Sequence, residues 1–180
     1  MNETVRRIVG PTILLHSGAY FDFEAPESSD FTIEDIAHGL SMVCRFAGQC
    51  GQFYSVAQHS VHVSGIVAAG HAYQGLMHDA AEAFVGDVSK PLKVMLPQYS
   101  VIERRVEAAI FSRFGVTAPL PPEIKEADVL MLVTEQYQLM RNRDEWSYTR
   151  GRKPLDIEIP SWSPAEAKAR FMERYAALTS

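Results

Sequence analysis

The stretch Leu76–Lys93, LMHDAAEAFVGDVSKPLK, concentrates the side chains best suited to acid–base or metal chemistry. His78 and Asp79 are adjacent, Glu82 follows one helical turn on, Asp87 comes just past Gly86, and Lys93 follows Pro91. Tyr73, Leu76, Met77, Ala80 and Phe84 recur at helical spacing, which predicts a helix that ends at Gly86. At about 100° per residue, His78, Asp79 and Glu82 share an arc of roughly 100° on the side away from that apolar stripe. Such an arc is ordinarily a solvated face, because Asp and Glu are mostly exposed. One imidazole and two carboxylates on one arc are also what a hard or borderline cation needs. The other elements of the chain decide between these readings.

Two of them offer further ligands. A helix is expected from about Ser55 to Ala69, stopped by Gly70, with His59, Val63, Ile66 and Val67 as its stripe and His62 beside it. A histidine on an apolar face is more often a satisfied core residue than a ligand, so His59 alone decides nothing. Pro122 begins the helix PEIKEADVLMLVTEQYQLMR, in which Ile124, Ala127 and Met131 are the helical neighbours of Asp128. A bare buried carboxylate would protonate, so Asp128 needs a partner. A cap or salt bridge is the plain choice and a metal the sharper one. Taken together, His59, His78, Asp79 and Asp128 suit Mn, Fe, Co, Ni or Zn, with Mg less natural. Four protein ligands on an octahedral ion would leave two positions for water and a substrate oxygen, the arrangement of metal-assisted hydrolysis.

The elements that must hold these groups read as helices. Thr32 with Asp35 forms a capping-box pattern, with Asp in place of Glu or Gln, and opens a helix that ends at Arg45 and Phe46. AGQCGQ then reads as a turn. Pro91 and Pro97 frame a connection, Ser100 with Glu103 caps the next helix, and Gly115 closes it. Residues 142–160 are loop-like, and Ser163-Pro164-Ala165-Glu166 starts a C-terminal helix. Tyr20-Phe21-Asp22-Phe23 alternates as a strand or hairpin does. Six or so helices with little strand give an all-α bundle in a single domain over 1–180.

Of the 180 residues, 47% are apolar and 22% charged, and the net charge is −5. This balance argues against a groove for polymeric nucleic acid, which needs a basic surface, but leaves room for a small phosphorylated substrate. The apolar run Ile13–Leu15 is too short for a signal peptide or a membrane span, so the expected location is cytoplasmic, away from membranes. Cys44 and Cys50 lack zinc-ribbon spacing and read as reduced thiols.

The pattern His59, His78-Asp79 and distant Asp128, all on helices, resembles the HD-domain metal-dependent phosphohydrolases over roughly residues 45–140. The phrases SVAQHS, LMHDAAEAFVGDVSKPLK and IKEAD look like the 5′-deoxynucleotidase branch of that family. The resemblance implies an HD-domain helical bundle, here with a short N-terminal extension that could hold a β-hairpin, and a homo-oligomer (dimer or higher). It implies a divalent metal on His59, His78, Asp79 and Asp128, with Glu82 and Asp87 catalytic. Arg45 would hold the phosphate, Lys93 would match a basic position after the catalytic Asp, and Phe46 stands where the branch typically has Trp. The plain reading of Arg45 and Lys93 is solvated surface charge. The implied reaction releases phosphate from a deoxynucleoside 5′-monophosphate through a metal-activated water. A related phage branch removes triphosphate from dATP and shares the frame. Two readings of other classes remain, a non-catalytic binding module and an HD-fold di-iron oxygenase. The latter uses extra histidines between the His-Asp pair and the final Asp, whereas all six histidines here fall at or before His78.

Overall fold

The computed structural model describes residues 10–180; the first nine residues of the N-terminal extension lie outside the described residues. The described chain is mostly helical and contains one two-stranded antiparallel sheet, β1 (Thr12–Leu14) with β2 (Tyr20–Asp22), in which Ile13 faces Phe21. The alternation in β2 turns Phe21 fully inward, where its ring stacks on Phe84 at 4.1 Å. The hairpin is therefore fastened to the segment that carries the candidate site.

The helices are α1 (Ile33–Met42), α2 (Val56–Ile66), α3 (Ala72–Met77), α4 (Glu82–Val85), α5 (Lys90–Met95), α6 (Pro97–Phe114), α7 (Pro122–Leu139) and α8 (Pro164–Thr179). The expected capping box opens α1: Thr32 Oγ1 accepts from the Asp35 N–H at 3.2 Å, and Asp35 Oδ2 accepts from the Thr32 N–H at 3.0 Å. Ser55 and Ser163 cap α2 and α8 in the same sense, each accepting an N–H three residues on. Such caps contribute about 1 kcal/mol each.

α2 is the central element and packs on α1, α3, α7 and α8. It joins two apolar clusters. Val56 and Ala57 enter the larger one with Ile36, Leu40, Leu76, Met77, Ile110 and Phe171, while Val63 and Val67 enter a second with Tyr54, Ile124 and Met131. Large side chains buried this completely stabilise by about 1.5–3 kcal/mol each. His59 lies on α2 between the two groups. Two glycines set close approaches between helices. A Cβ on Gly75 would lie 3.1 Å from Val67 Cγ2 and 3.3 Å from Ser64 Cα, so α3 rests directly on α2. A Cβ on Gly39 would lie 2.7 Å from the Ala83 carbonyl oxygen, so α1 rests on α4.

Several boundaries differ from the expectation. The helix expected to run to Gly86 is broken over 78–81, between α3 and α4. The bonds there shift to i→i−3, with the Ala80 N–H on Met77 O and the Glu82 N–H on Asp79 O. α1 stops at Met42, before Arg45 and Phe46, because Val43 turns extended and its carbonyl accepts from the Val56 N–H, while the Arg45 N–H donates to Tyr54 O. α2 ends at Ile66, a turn before Gly70. The stretch between Pro91 and Pro97 is helical, as α5. α6 begins at Pro97, whose fixed φ suits a first helical position, so Ser100 lies inside the helix and caps nothing.

Candidate metal and catalytic site

The break after α3 positions His78. Its Nδ1 lies 2.8 Å from the Gly75 carbonyl, which can only accept, so Nδ1 is a donor and in the neutral ring Nε2 holds the lone pair. His59 is arranged alike from α2. Its Nδ1 meets Glu135 Oε1 at 2.5 Å. Burial raises the Glu135 carboxyl, but the charges of Arg45 and His59 outweigh it and hold the group down at about 2. Glu135 is thus an acceptor, and in the neutral ring His59 Nε2 is left to bind elsewhere. A histidine whose far nitrogen is pinned in this way is oriented as metal-ligating histidines are.

Both Nε2 atoms are buried and lack a hydrogen-bond partner. Six buried side-chain N or O atoms are orphaned among the described residues, and three of them, His59 Nε2, His78 Nε2 and Glu82 Oε2, belong to this one site. Asp79 Oδ2 lies 3.2 Å from His78 Nε2 and 3.6 Å from His59 Nε2, and Asp128 Oδ1 lies 3.3 Å from His59 Nε2. Ligand atoms of His59, His78 and Asp128 fall within 4.8 Å of one another. The solvated-face reading of the 78–82 arc is therefore overturned: His78 and Glu82 are almost wholly enclosed, and Asp79 is largely so.

Charge in the cluster is unbalanced. Burial and Arg45 push His59 down, yet Glu135 and Asp128 outweigh them and hold it at about 9. Burial raises Asp79 and Asp128, but their histidine neighbours keep both well below the usual carboxylate range. At about 9 the His59 ring carries a proton between Glu135 and Asp128 near neutral pH, and a divalent cation on the two Nε2 atoms would take the place of that charge. Two nitrogens and two carboxylates are the donor set for a borderline divalent ion. The plain option for Asp128 is also present, since its other oxygen meets the exposed Lys125 at 2.5 Å, a contact worth little on a surface.

Behind the imidazoles lies a network that the sequence reading did not anticipate. Arg45 is buried rather than solvated; its Nε donates to Glu135 Oε2 at 3.1 Å, and its Nη1 lies 3.7 Å from Asp79 Oδ2. Tyr54 OH donates to Glu135 Oε1 at 2.9 Å. Glu135 stands seven residues after Asp128, two turns along the same face of α7. The polar triplet Thr134–Gln136 inside an apolar run was the available signal. Immediately after Arg45, Phe46 and Ala47 both take left-handed backbone angles, φ +55° and +51°, each costing roughly 1–2 kcal/mol for a residue with a Cβ. The turn presents the Phe46 ring to the Arg45 guanidinium at 5.6 Å.

On the other side, burial followed by Asp79 and Asp87 pushes the Glu82 carboxyl well up. Asp87, half-buried, is also raised by burial, with Asp79 adding to it and Arg45 and Lys93 opposing. Lys93 does not stand free: its Nζ lies 2.6 Å from Glu103 of α6 and 5.6 Å from the Tyr99 ring centroid. The fold thus gathers Arg45, His59, His78, Asp79, Glu82, Asp87 and Asp128, with Phe46 and Lys93 at the edges. Cys44 and Cys50 are free thiols, and burial pushes Cys50 up to about 11. No helix of the described residues is long and apolar enough to cross a membrane.

No family model matches the chain. It is 40% identical over 121 residues to the uncharacterized protein RCAP_rcc00048 of Rhodobacter capsulatus, an alignment that covers 62% of each protein. It is 37% identical over 161 residues to the uncharacterized protein YfdR of Escherichia coli, covering 88% of this chain and 90% of that one. With both proteins spanned nearly end to end, the chain belongs to the family of YfdR.

Proposed function

We propose that this protein is a metal-dependent phosphohydrolase of the HD type that releases phosphate from a deoxynucleoside 5′-monophosphate. The observation that carries the reading is the pair of buried, orphaned Nε2 atoms of His59 and His78 facing Asp79 and Asp128, with Arg45 beside them. A divalent ion on these four residues would act as a Lewis acid and lower the pKa of a water it binds.

The remaining groups then have defined work. Arg45 faces the site with a guanidinium already aimed by Glu135, so phosphate meets a charge that needs no reorganisation. Glu82, enclosed beside Asp79 and Asp87, keeps a proton more readily than a free glutamate and stands to deliver it to the departing sugar oxygen. Asp87, more open, stands to orient the attacking water. Lys93, fixed by Glu103, adds positive potential at the edge rather than a direct grip. The carboxylates outside the ligand set speak against a purely structural metal, which has no use for a second pair of acids.

Incubation with dAMP and with dATP in Mn²⁺ or Co²⁺, followed by chromatography, tests the reading. Deoxyadenosine and phosphate from dAMP are expected. Deoxyadenosine with intact triphosphate from dATP would reassign the chain as a triphosphohydrolase, and no hydrolysis of either under metal-replete conditions would contradict the proposal.

A further inference from the structure

A row of rings that begins beside Arg45 has no part in the chemistry above. The Phe46 and Trp146 ring centroids lie 6.2 Å apart, and those of Trp146 and Tyr148 lie 5.8 Å apart with planes inclined by 32°. Both ends of the row are tied to segments of the site. Phe46 follows Arg45 in sequence, and Lys90, three residues beyond Asp87, holds its Nζ 5.2 Å from the centre of the Tyr148 ring. The row therefore starts beside Arg45 and reaches Lys90 of α5.

Three features set them apart from core packing. None of the three is fully buried, and none belongs to either apolar cluster. Phe46 is carried there by two successive left-handed residues, a conformation that side-chain-bearing residues adopt only when something holds them. Trp146 comes from the irregular segment after α7 and is placed by polar contacts: its carbonyl accepts from the Thr149 N–H at 3.0 Å, and the nearby Asp144 carbonyl accepts from Gln136 Nε2 at 2.7 Å. Partly exposed rings that begin beside a cationic phosphate position are what a nucleobase stacks on, with little regard to which base it is.

We infer that Phe46, Trp146 and Tyr148 form a stacking platform for the base of the nucleotide, with Trp146 the main contributor to base affinity. The inference rests on the phosphohydrolase reading for where the phosphate lies. Trp146 and Trp162 are the only tryptophans, so a Trp162→Phe background isolates the emission of Trp146. On that background, deoxyadenosine and dAMP should quench the emission, and deoxyribose 5-phosphate should not. Trp146→Ala should weaken deoxyadenosine binding, followed by calorimetry, by about 5- to 150-fold, the range that alanine substitution gives for a stacked base. Trp146→Phe should restore most of it. Emission unmoved by deoxyadenosine in a protein that still hydrolyses dAMP would overturn the platform and leave the hydrolase reading standing. Quenching by deoxyadenosine in a protein that hydrolyses no phosphate ester would support the platform and overturn the hydrolase reading instead.

Discussion

On the Nδ1 side of His59, the polar groups are paired: Glu135 receives Arg45, Tyr54 and the imidazole at 2.5–3.1 Å. On the Nε2 side, His59 itself, His78 and Glu82 each leave a buried atom without a hydrogen bond. The two regions share one ring and differ in purpose. The rear network spends its polar atoms fixing geometry, while the front holds polar atoms in reserve, with the Asp79 and Asp128 carboxyls held down and the Glu82 carboxyl pushed up. Unpaired buried groups each cost about 1–3 kcal/mol, and three of the six among the described residues gather at this one front. The contrast argues that the front is finished by something the protein binds.

The comparison can be broken from either side. At the front, Glu82→Gln should lower turnover by about 10²–10⁴-fold, the usual weight of a general acid or base, while the metal stays bound. Steady-state rates with metal analysis on the same sample check this, and full rate with metal bound would remove Glu82 from the chemistry. At the rear, Glu135→Gln removes the nearer of the two carboxylates that face the buried Arg45, leaving only Asp79 at 3.7 Å, and urea unfolding should show a loss of about 3–5 kcal/mol. A loss confined to a few tenths would mean that the rear is not the rigid partner described.

His62 sharpens the contrast on the same helix. One turn beyond His59, it stacks on Trp162 at 5.3 Å, and burial followed by the charge of His59 brings it down to about 4. Two imidazoles on α2 thus move in opposite directions, since only His59 has carboxylates at both nitrogens. With a folded pKa below the unfolded 6.5, His62 contributes stability that is present above pH 6.5 and is lost as pH falls from there through 4. The loss is about 3 kcal/mol at most. His62→Phe should flatten stability across that window, measured by denaturant unfolding at a series of pH values. The smallest effect belongs to the turn behind Arg45. Ala47→Gly relieves a left-handed residue and should stabilise the fold by about 1 kcal/mol, read by the same method.

The four candidate ligand positions were legible in the sequence because helical spacing sets which residues share a face, and apolar neighbours make an enclosed acid or imidazole conspicuous. The caps at Thr32 and Ser163 were legible for a similar reason, being local hydrogen-bond patterns. The break at 78–81 was not. His78 and Ala81 keep ordinary helical angles and only the hydrogen bonds shift register, so the apolar stripe through Leu76, Met77, Ala80 and Phe84 persists across it. The burial of Arg45 depends on backbone bonds from residues 43–45 to residues 54–56, a pairing that helical periodicity does not report. Glu135 was hidden by its apolar surroundings, and the engagement of Lys93 by Glu103 required knowing that α5 and α6 fold back on one another.

The front of His59 is proposed as a metal site. Its most direct test is the metal content of the chelator-treated and Mn²⁺- or Co²⁺-reloaded protein, measured by mass spectrometry beside a His78→Ala variant whose helical circular dichroism matches the parent. About one tightly held divalent ion per parent chain is expected, with its loss from the variant. A parent that retains no ion, or a variant that retains as much as the parent, would contradict it.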